Sequence, residues 1–403
     1  MVGGISGIGR HDTVGSVLAR SRGIGPGFDL LRILLALYIF YGHTLWIAGT
    51  LSHGVAIAGP ANAPASAIGV AGSGGFEGWT RPIHVAAVPV FFALSGFLVS
   101  GSAFRLRRTT TFLAFRFLRI FPALVAELTL CAVLLGPVLT SLNVASYFRD
   151  PVFWRYAGNL IGWVTFDLPG LFLNNPVRAI VNVNLWTLPA EFDCYLVTAA
   201  LMLTGVLYHR TLFTITMALA TAGFAVANMG YGYAVTPGIL PPVAITYYFF
   251  VGVLFFHWQD QIRAHWALFL SSAVIAYMLL MVQNMVFVAP IFVTYCTVFV
   301  GLLAVPRIPL ISSGDYSYGI YLYGFPIAQA LVAIAPGTFV GHRYLLLLAA
   351  VAVTCAFAAL SWHVVEKRTL LLKRFLPPHL FPRPEKALAP APSLEGTVAA
   401  GSA

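Results

Sequence analysis

Apolar residues gather in ten long stretches, near 29–51, 83–101, 120–141, 185–207, 211–229, 239–257, 266–283, 286–305, 317–334 and 344–364. Each runs to about 18–23 residues, enough for an α-helix rising 1.5 Å per residue to cross a ~30 Å hydrocarbon layer. The pattern predicts an all-α fold, a polytopic membrane helix bundle of about ten transmembrane helices. Residues 29–368 make the membrane domain and residues 1–28 a flexible cytoplasmic lead. Residues 369–403 form a cytoplasmic tail, first basic and then rich in Pro and Ala, a composition that favours disorder. A Gly/Ala/Pro-rich loop covers about 52–82. A second polar interval, 142–183, carries Arg149, Asp150, Arg155, Asp167, Asn174, Asn175 and Arg178 around a weakly apolar piece. It reads as an outer-face loop with an interfacial or re-entrant portion.

Composition sharpens this picture. Hydrophobic residues are 59% of 403 and charged residues 9%, which excludes a soluble fold. The formal charge of +10 does not point to nucleic acid, because the positives sit between apolar runs without interleaved aromatics. They set topology instead. On the ten-span scheme 18 of the 23 Lys and Arg fall on one side, densest at Arg105, Arg107, Arg108, Arg116 and Arg119, which predicts both termini cytoplasmic. No cleavable signal is visible, so the first span reads as an uncleaved anchor. Cys131, Cys194, Cys296 and Cys355 lie within apolar runs without C-x-x-C spacing, so they read as packing residues and neither a disulfide frame nor a metal site is expected. No internal repeat of the transporter kind is seen.

The candidate chemistry lies inside the spans. Arg32 and His43 are eleven residues apart, about three helical turns, so they share one stripe of the first span roughly 16 Å apart. Ionisable groups inside a span mark a functional site when they face the protein interior. A buried neutral imidazole can accept a proton from a hydroxyl, which makes His43 a candidate general base; the plain alternative is a histidine bonded within the bundle. Arg32 either snorkels to the interface or binds phosphate with its planar fork. Arg116 and Arg119, three apart on one helical face, either anchor the chain at the cytoplasmic surface or join Arg32 in a polyanion site. Glu191, about one turn inside the expected outer end of the fourth span and four residues before Tyr195, could orient His43 or bind sugar hydroxyls, or be a partly solvated interface residue. Glu127 reads as a structural carboxyl paired within the bundle.

Five segments in order carry a resemblance: Arg32 with His43; Val90-Phe-Phe-Ala-Leu-Ser-Gly-Phe97; Arg116-Phe-Leu-Arg119-Ile-Phe-Pro122; Asn184-Leu-Trp-Thr-Leu-Pro-Ala-Glu191-Phe-Asp-Cys-Tyr195; and Ser317-Tyr-Gly-Ile-Tyr-Leu322. Over about 30–368 the chain resembles the acyltransferase 3 family of membrane-bound O-acyltransferases that modify bacterial surface glycans. The resemblance implies a multi-pass protein of the inner membrane and an acyl-CoA donor, acetyl-CoA by default, with no metal. It implies a polysaccharide, lipopolysaccharide or oligosaccharide acceptor hydroxyl. Carried over, His43 is the catalytic base, Glu191 supports the outer part of the site, and Arg32, Arg116 and Arg119 hold the CoA phosphates. Direct attack on the thioester and an acyl-histidine relay both stay open. Two departures stand out: Tyr323-Gly324 replaces a pair in which the family often has histidine, and Lys367-Arg368 follows Glu366 where a proline is common. The roughly 39 residues after the last span are too few for the soluble hydrolase-like domain some members carry. The reading from another class is a transporter or flippase that moves an acyl group or glycolipid without forming an ester.

Overall fold

The computed structural model describes residues 8–9, 11–21, 25–50, 78–231, 242–282, 288–305 and 316–372. Most of the expected 52–82 loop, the inner loop 307–315 and the tail beyond 372 lie outside the described residues. Ten helices match the ten apolar stretches: α2 (Phe28–Ile47), α3 (Arg81–Leu106), α4 (Thr109–Leu139), α7 (Thr187–Leu203), α8 (Arg210–Tyr231), α9 (Pro242–His257), α10 (Trp266–Met281), α11 (Ala289–Leu302), α12 (Tyr316–Ile334) and α13 (Arg343–Leu370). Five of them, α2, α3, α4, α12 and α13, are long and apolar enough to cross a membrane, and α8 to α11 contain shorter apolar helices. The protein is a multi-pass membrane helix bundle, and no strand is present among the described residues. Short helices between and before them include α1 (Val14–Arg20), α5 (Val144–Arg149) and α6 (Pro151–Tyr156).

Small residues decide which helices touch. Without a hydrophobic drive inside lipid, close backbone approach is the main source of helix association. Gly96 of α3 faces the Phe249 carbonyl of α9, and Gly252 of α9 faces the Ala93 carbonyl of α3, each so near that a Cβ would collide. The Ser-Gly-Phe stretch is therefore the α3–α9 seam. Gly319 meets Ala358 in the same way where α12 packs on α13. All four cysteines are free, Cys131 and Cys194 buried and Cys355 exposed on α13.

Three elements differ from the sequence expectation. First, the helix that carries Arg116 and Arg119 starts well before its apolar stretch: only Arg107 and Arg108 break the chain between α3 and α4, with Arg107 left-handed at φ 51°. The third apolar stretch begins at 120, but its helix starts a full eleven residues earlier because the polar first turns pack against the bundle. Second, residues 12–20 are not a loose lead. Thr13 and Ser16 form a reciprocal cap on α1. Val14 and Gly15 donate backbone bonds to the carbonyls of Ile262 and Gln259 (2.9 and 2.8 Å), and Ala264 donates to Asp12 (2.8 Å). Third, α7 starts deep in the bundle. The segment before it descends along α12, with Asn175 bonded to Gln329, Asn182 to the Leu322 carbonyl (2.9 Å) and Asn184 to the Tyr321 carbonyl. Eight residues of α12 separate the first and last of these contacts, about 12 Å of descent.

That descending backbone is irregular, which a membrane tolerates only where protein covers it. Gln329, fully buried, satisfies it: its Nε2 donates to the carbonyls of Val177 (2.8 Å) and Ile180 (2.7 Å), and its own Oε1 accepts from Asn175 (2.9 Å). Phe172 and Ala179 take left-handed backbone angles (φ 53° and 56°) within this segment. Lower down, Asn182 donates to Glu127 Oε1 (2.8 Å), as does the Cys131 thiol (3.2 Å), so the buried carboxyl of α4 joins the segment to the bundle. Just beyond Glu127 the helix widens into a π turn at Leu130–Leu135. The Tyr147 hydroxyl donates to the Ala132 carbonyl there (2.8 Å).

Candidate active site

The descent of α7 brings the polar residues of six helices around one cavity of about 630 Å³. Arg32 enters from α2, Arg105 from α3, Arg116 and Arg119 from α4, Glu191 and Tyr195 from α7, Tyr318 and Tyr321 from α12, and Trp362 and Glu366 from α13. Four guanidiniums thus face two carboxylates across aromatic walls. Along α3 the lining runs from Val88 to Leu106, eighteen residues or about 27 Å, so the cavity is long rather than round.

Its best-defined cation is Arg116. The guanidinium lies 5.5 Å from the Phe112 ring centre and 5.8 Å from that of Tyr195, a pair of rings that favours a planar cation. Its Nε is buried with no hydrogen-bond partner among the described residues. One turn along α7, the Tyr195 hydroxyl donates to Glu191 Oε1 at 2.5 Å, so the carboxylate is fixed by its i+4 neighbour. Arg32 lies 3.9 Å from Asp29 one turn earlier on α2. At the other end of the cavity the Tyr321 hydroxyl meets Thr187 Oγ1 (2.9 Å), while Thr187 donates to the Asn184 carbonyl (3.0 Å). Such a site suits a long polyanion with flat or apolar parts.

Of the five residues singled out in the sequence, four line this cavity: Arg32, Arg116, Arg119 and Glu191. Glu191 is not at an outer end, as expected, but beside the arginines, because the fourth helix begins only after the chain has descended. His43 does not line the cavity. It lies further along the same stripe of α2, its ring edge-on to Phe325 at 5.3 Å, with a buried Nδ1 that has no hydrogen-bond partner among the described residues. Between the two levels Phe40 packs against Gly324, where a Cβ would come within 2.8 Å of the ring. The departure at Gly324 is thus one half of a matched pair: Phe40 fills the space a larger residue would need.

Sequence reasoning passed over several lining residues. Arg105 counted only as a topology signal, and the i+4 spacing of Glu191 and Tyr195 was the available hint of their bond. Glu366 was given no role, yet it is buried, accepts from Ser361 (3.1 Å) and closes the cavity from a π turn at Trp362–Glu366. A second pair, Tyr38 and His84 (Oη to Nδ1 2.7 Å, rings stacked), stands on a different face of α2 from His43.

A bundle of long apolar helices around a cavity lined by arginines, carboxylates and aromatic rings defines an integral membrane protein with a polar site inside its helix bundle. The chain belongs to the acyltransferase 3 family: its model, described as an acyltransferase domain, matches residues 26–364. An O-acetyl transferase of Shigella phage Sf6 is 28% identical over 293 residues, 70% of this chain and 84% of that protein. Nodulation protein 10 of Rhizobium leguminosarum bv. viciae is 26% identical over 388 residues, 88% of this chain and 96% of that protein. No solved structure matches the chain.

Proposed function

We propose that this protein is an O-acyltransferase of the bacterial inner membrane that moves an acyl group from cytosolic acyl-CoA to a hydroxyl of an exported or lipid-linked glycan. Acetyl is the acyl group we assign first, since a relative bears the name O-acetyl transferase. The observation that carries the reading is the orphan Nε of Arg116 among four arginines in a long aromatic cavity. CoA is a polyanion with a flat base and a thin pantetheine arm, and guanidiniums between rings suit its phosphates.

In this reading the nucleotide stays at the Arg105 end and the arm passes Glu191 toward Tyr321. The thioester then leaves the cavity on the side where α2 continues to His43. Glu191, fixed by Tyr195, holds the arm or an acceptor hydroxyl at the exit. His43 takes the proton of the acceptor hydroxyl as its oxygen attacks the thioester carbonyl. The carbon–sulfur bond breaks, an ester forms, and the thiolate of CoA takes the proton back from the imidazolium.

Replacing His43 with Ala and with Gln in the native host tests this, with ester-linked acyl groups on total surface glycans read by mass spectrometry beside the protein level. Loss of one ester at normal protein level is expected and identifies acyl group and acceptor together. Unchanged esters would remove His43 as base. A purified protein that moves glycolipid across vesicles without consuming acetyl-CoA would favour the flippase reading.

A further inference from the structure

The docked N-terminal helix has no part in the chemistry above, yet Leu18 of α1 lines the cavity. α1 is held in two independent ways. Its backbone is bonded to the turn that follows α9, with Thr13 and Arg263 in an antiparallel bridge, and its apolar face is buried, Val14, Val17 and Leu18 all joining the main core. Gly15 is the close point. A Cβ there would collide with the Asp260 side chain, and the Asp260 backbone is only 3.3 Å away.

The end of the cavity that α1 covers can be identified. α9 ends beside the turn that holds α1, and its Phe256 lines the cavity, packs on Phe97 (5.7 Å) and lies 3.4 Å from a Cβ placed on Gly101. Arg105 Nη1 is 4.0 Å from the same point. Leu18, Phe256 and Arg105 therefore share one end, and Tyr321, Phe91 and Thr187 mark the other, about 21 Å away along α3 from Arg105 to Phe91. An elongated thioester donor whose reactive end points to α2 must leave its opposite end against Leu18.

We propose that α1 is part of the donor site, a clamp that selects the nucleotide end of the thioester donor, so that the protein distinguishes acyl-CoA from acyl thioesters lacking the nucleotide. The inference rests on the acyl-CoA reading above. An apolar side chain beside an arginine and a phenylalanine suits a flat base with a phosphate next to it.

The test uses the full-length purified protein with two donors, acetyl-CoA and S-acetyl-pantetheine, which carries the same thioester without the nucleotide. Gly15→Leu removes the space α1 needs against Asp260. The expected result is a rise of about tenfold in KM for acetyl-CoA, the size of one lost buried apolar contact. kcat stays unchanged, and so do the kinetics with S-acetyl-pantetheine, which also reports that the variant is folded. Inhibition by adenosine 3′,5′-bisphosphate should weaken by a similar factor, and Leu18→Ala should raise KM for acetyl-CoA alone. Equal losses with both donors, or no change with acetyl-CoA, would overturn the clamp. If the unaltered protein transfers from neither thioester, the donor reading itself falls and the clamp with it.

Discussion

α2 presents one face at two levels, and the two levels differ in every physical respect. At Arg32 the helix borders a cavity crowded with four guanidiniums and two carboxylates; three turns on, at His43, the same face meets the Phe325 ring, and Nδ1 is buried with no partner among the described residues. On the proposed reading, charge is gathered where a charged donor would be recognised, and kept away from the histidine that would take up a proton. Electrostatic binding and proton transfer want opposite surroundings, since a cation beside an imidazole disfavours its protonated form. A distance of about 16 Å along one rigid helix separates them without a loop whose motion could blur it.

The contrast breaks most severely if the cationic level loses its shape. Arg116→Met should raise KM for acetyl-CoA by about a hundredfold or more, the cost of removing a buried charged partner from a phosphate. Arg116→Lys keeps the charge but not the plane that lies between Phe112 and Tyr195. It should recover only a small part of the loss. His43→Gln should leave acetyl-CoA binding intact while ester formation falls by about 10²–10⁴-fold. Calorimetric titration of acetyl-CoA on the variants checks both, and a histidine variant that loses donor binding would mean the two levels are not separate.

Gln329 keeps the levels in register, because the backbone it satisfies leads directly into α7 and Glu191. Gln329→Leu strips partners from the carbonyls of Val177 and Ile180, while the Asn175 amide keeps only its bond to the backbone carbonyl of residue 329. About 2–3 kcal/mol of stability should go with them. Thermal unfolding in detergent measures it. A drop in kcat at retained acetyl-CoA affinity would add that the segment, not only the fold, holds Glu191 in place.

A smaller effect is expected at Gly324→Ala. The added methyl group meets Phe40, which is buried at 2% exposure and cannot turn aside, and overpacking of this kind costs about 1–2 kcal/mol. Phe40→Leu beside it should restore most of the loss, since the two positions share one volume. If the double variant is no better than the single, the matched-pair account of Gly324 is wrong.

What the sequence revealed follows from which physics is local. The ten spans were legible because lipid demands long apolar runs, and the shared face of Arg32 and His43 because helical periodicity is a local property. The depth of Glu191 was not, because it depends on an irregular segment held by Gln329 more than 140 residues later. The docking of α1 was equally hidden, since backbone bonds to residues 259–264 leave no mark in the side chains of residues 12–15. Glu366 falls in the structure under the rule applied to Glu127, that a carboxyl in an apolar helix has a partner. The rule does not reach it from the sequence, because Lys367 and Arg368 follow it and it reads with the basic tail rather than with the span.

The weakest effect is predicted at the most conspicuous ion pair. Arg20 donates to both oxygens of Asp12 (2.9 and 2.5 Å), and this guanidinium, with the Gly9 amide, holds the Asp12 carboxyl down to about 2 from an ordinary value of 3.8. A depressed carboxyl contributes to docking above its ordinary value and loses that contribution as pH falls from about 4 through about 2. Between pH 5 and 9 it stays constant. The arginine is also exposed, where solvent and salt screen such contacts. Asp12→Asn should therefore change KM for acetyl-CoA by less than about twofold at pH 7. Gly15→Leu, which touches no charge, should change it about tenfold. An Asp12→Asn effect as large as that of Gly15→Leu would mean that charge, and not backbone pairing and the buried face of Val14, Val17 and Leu18, holds α1 over the cavity.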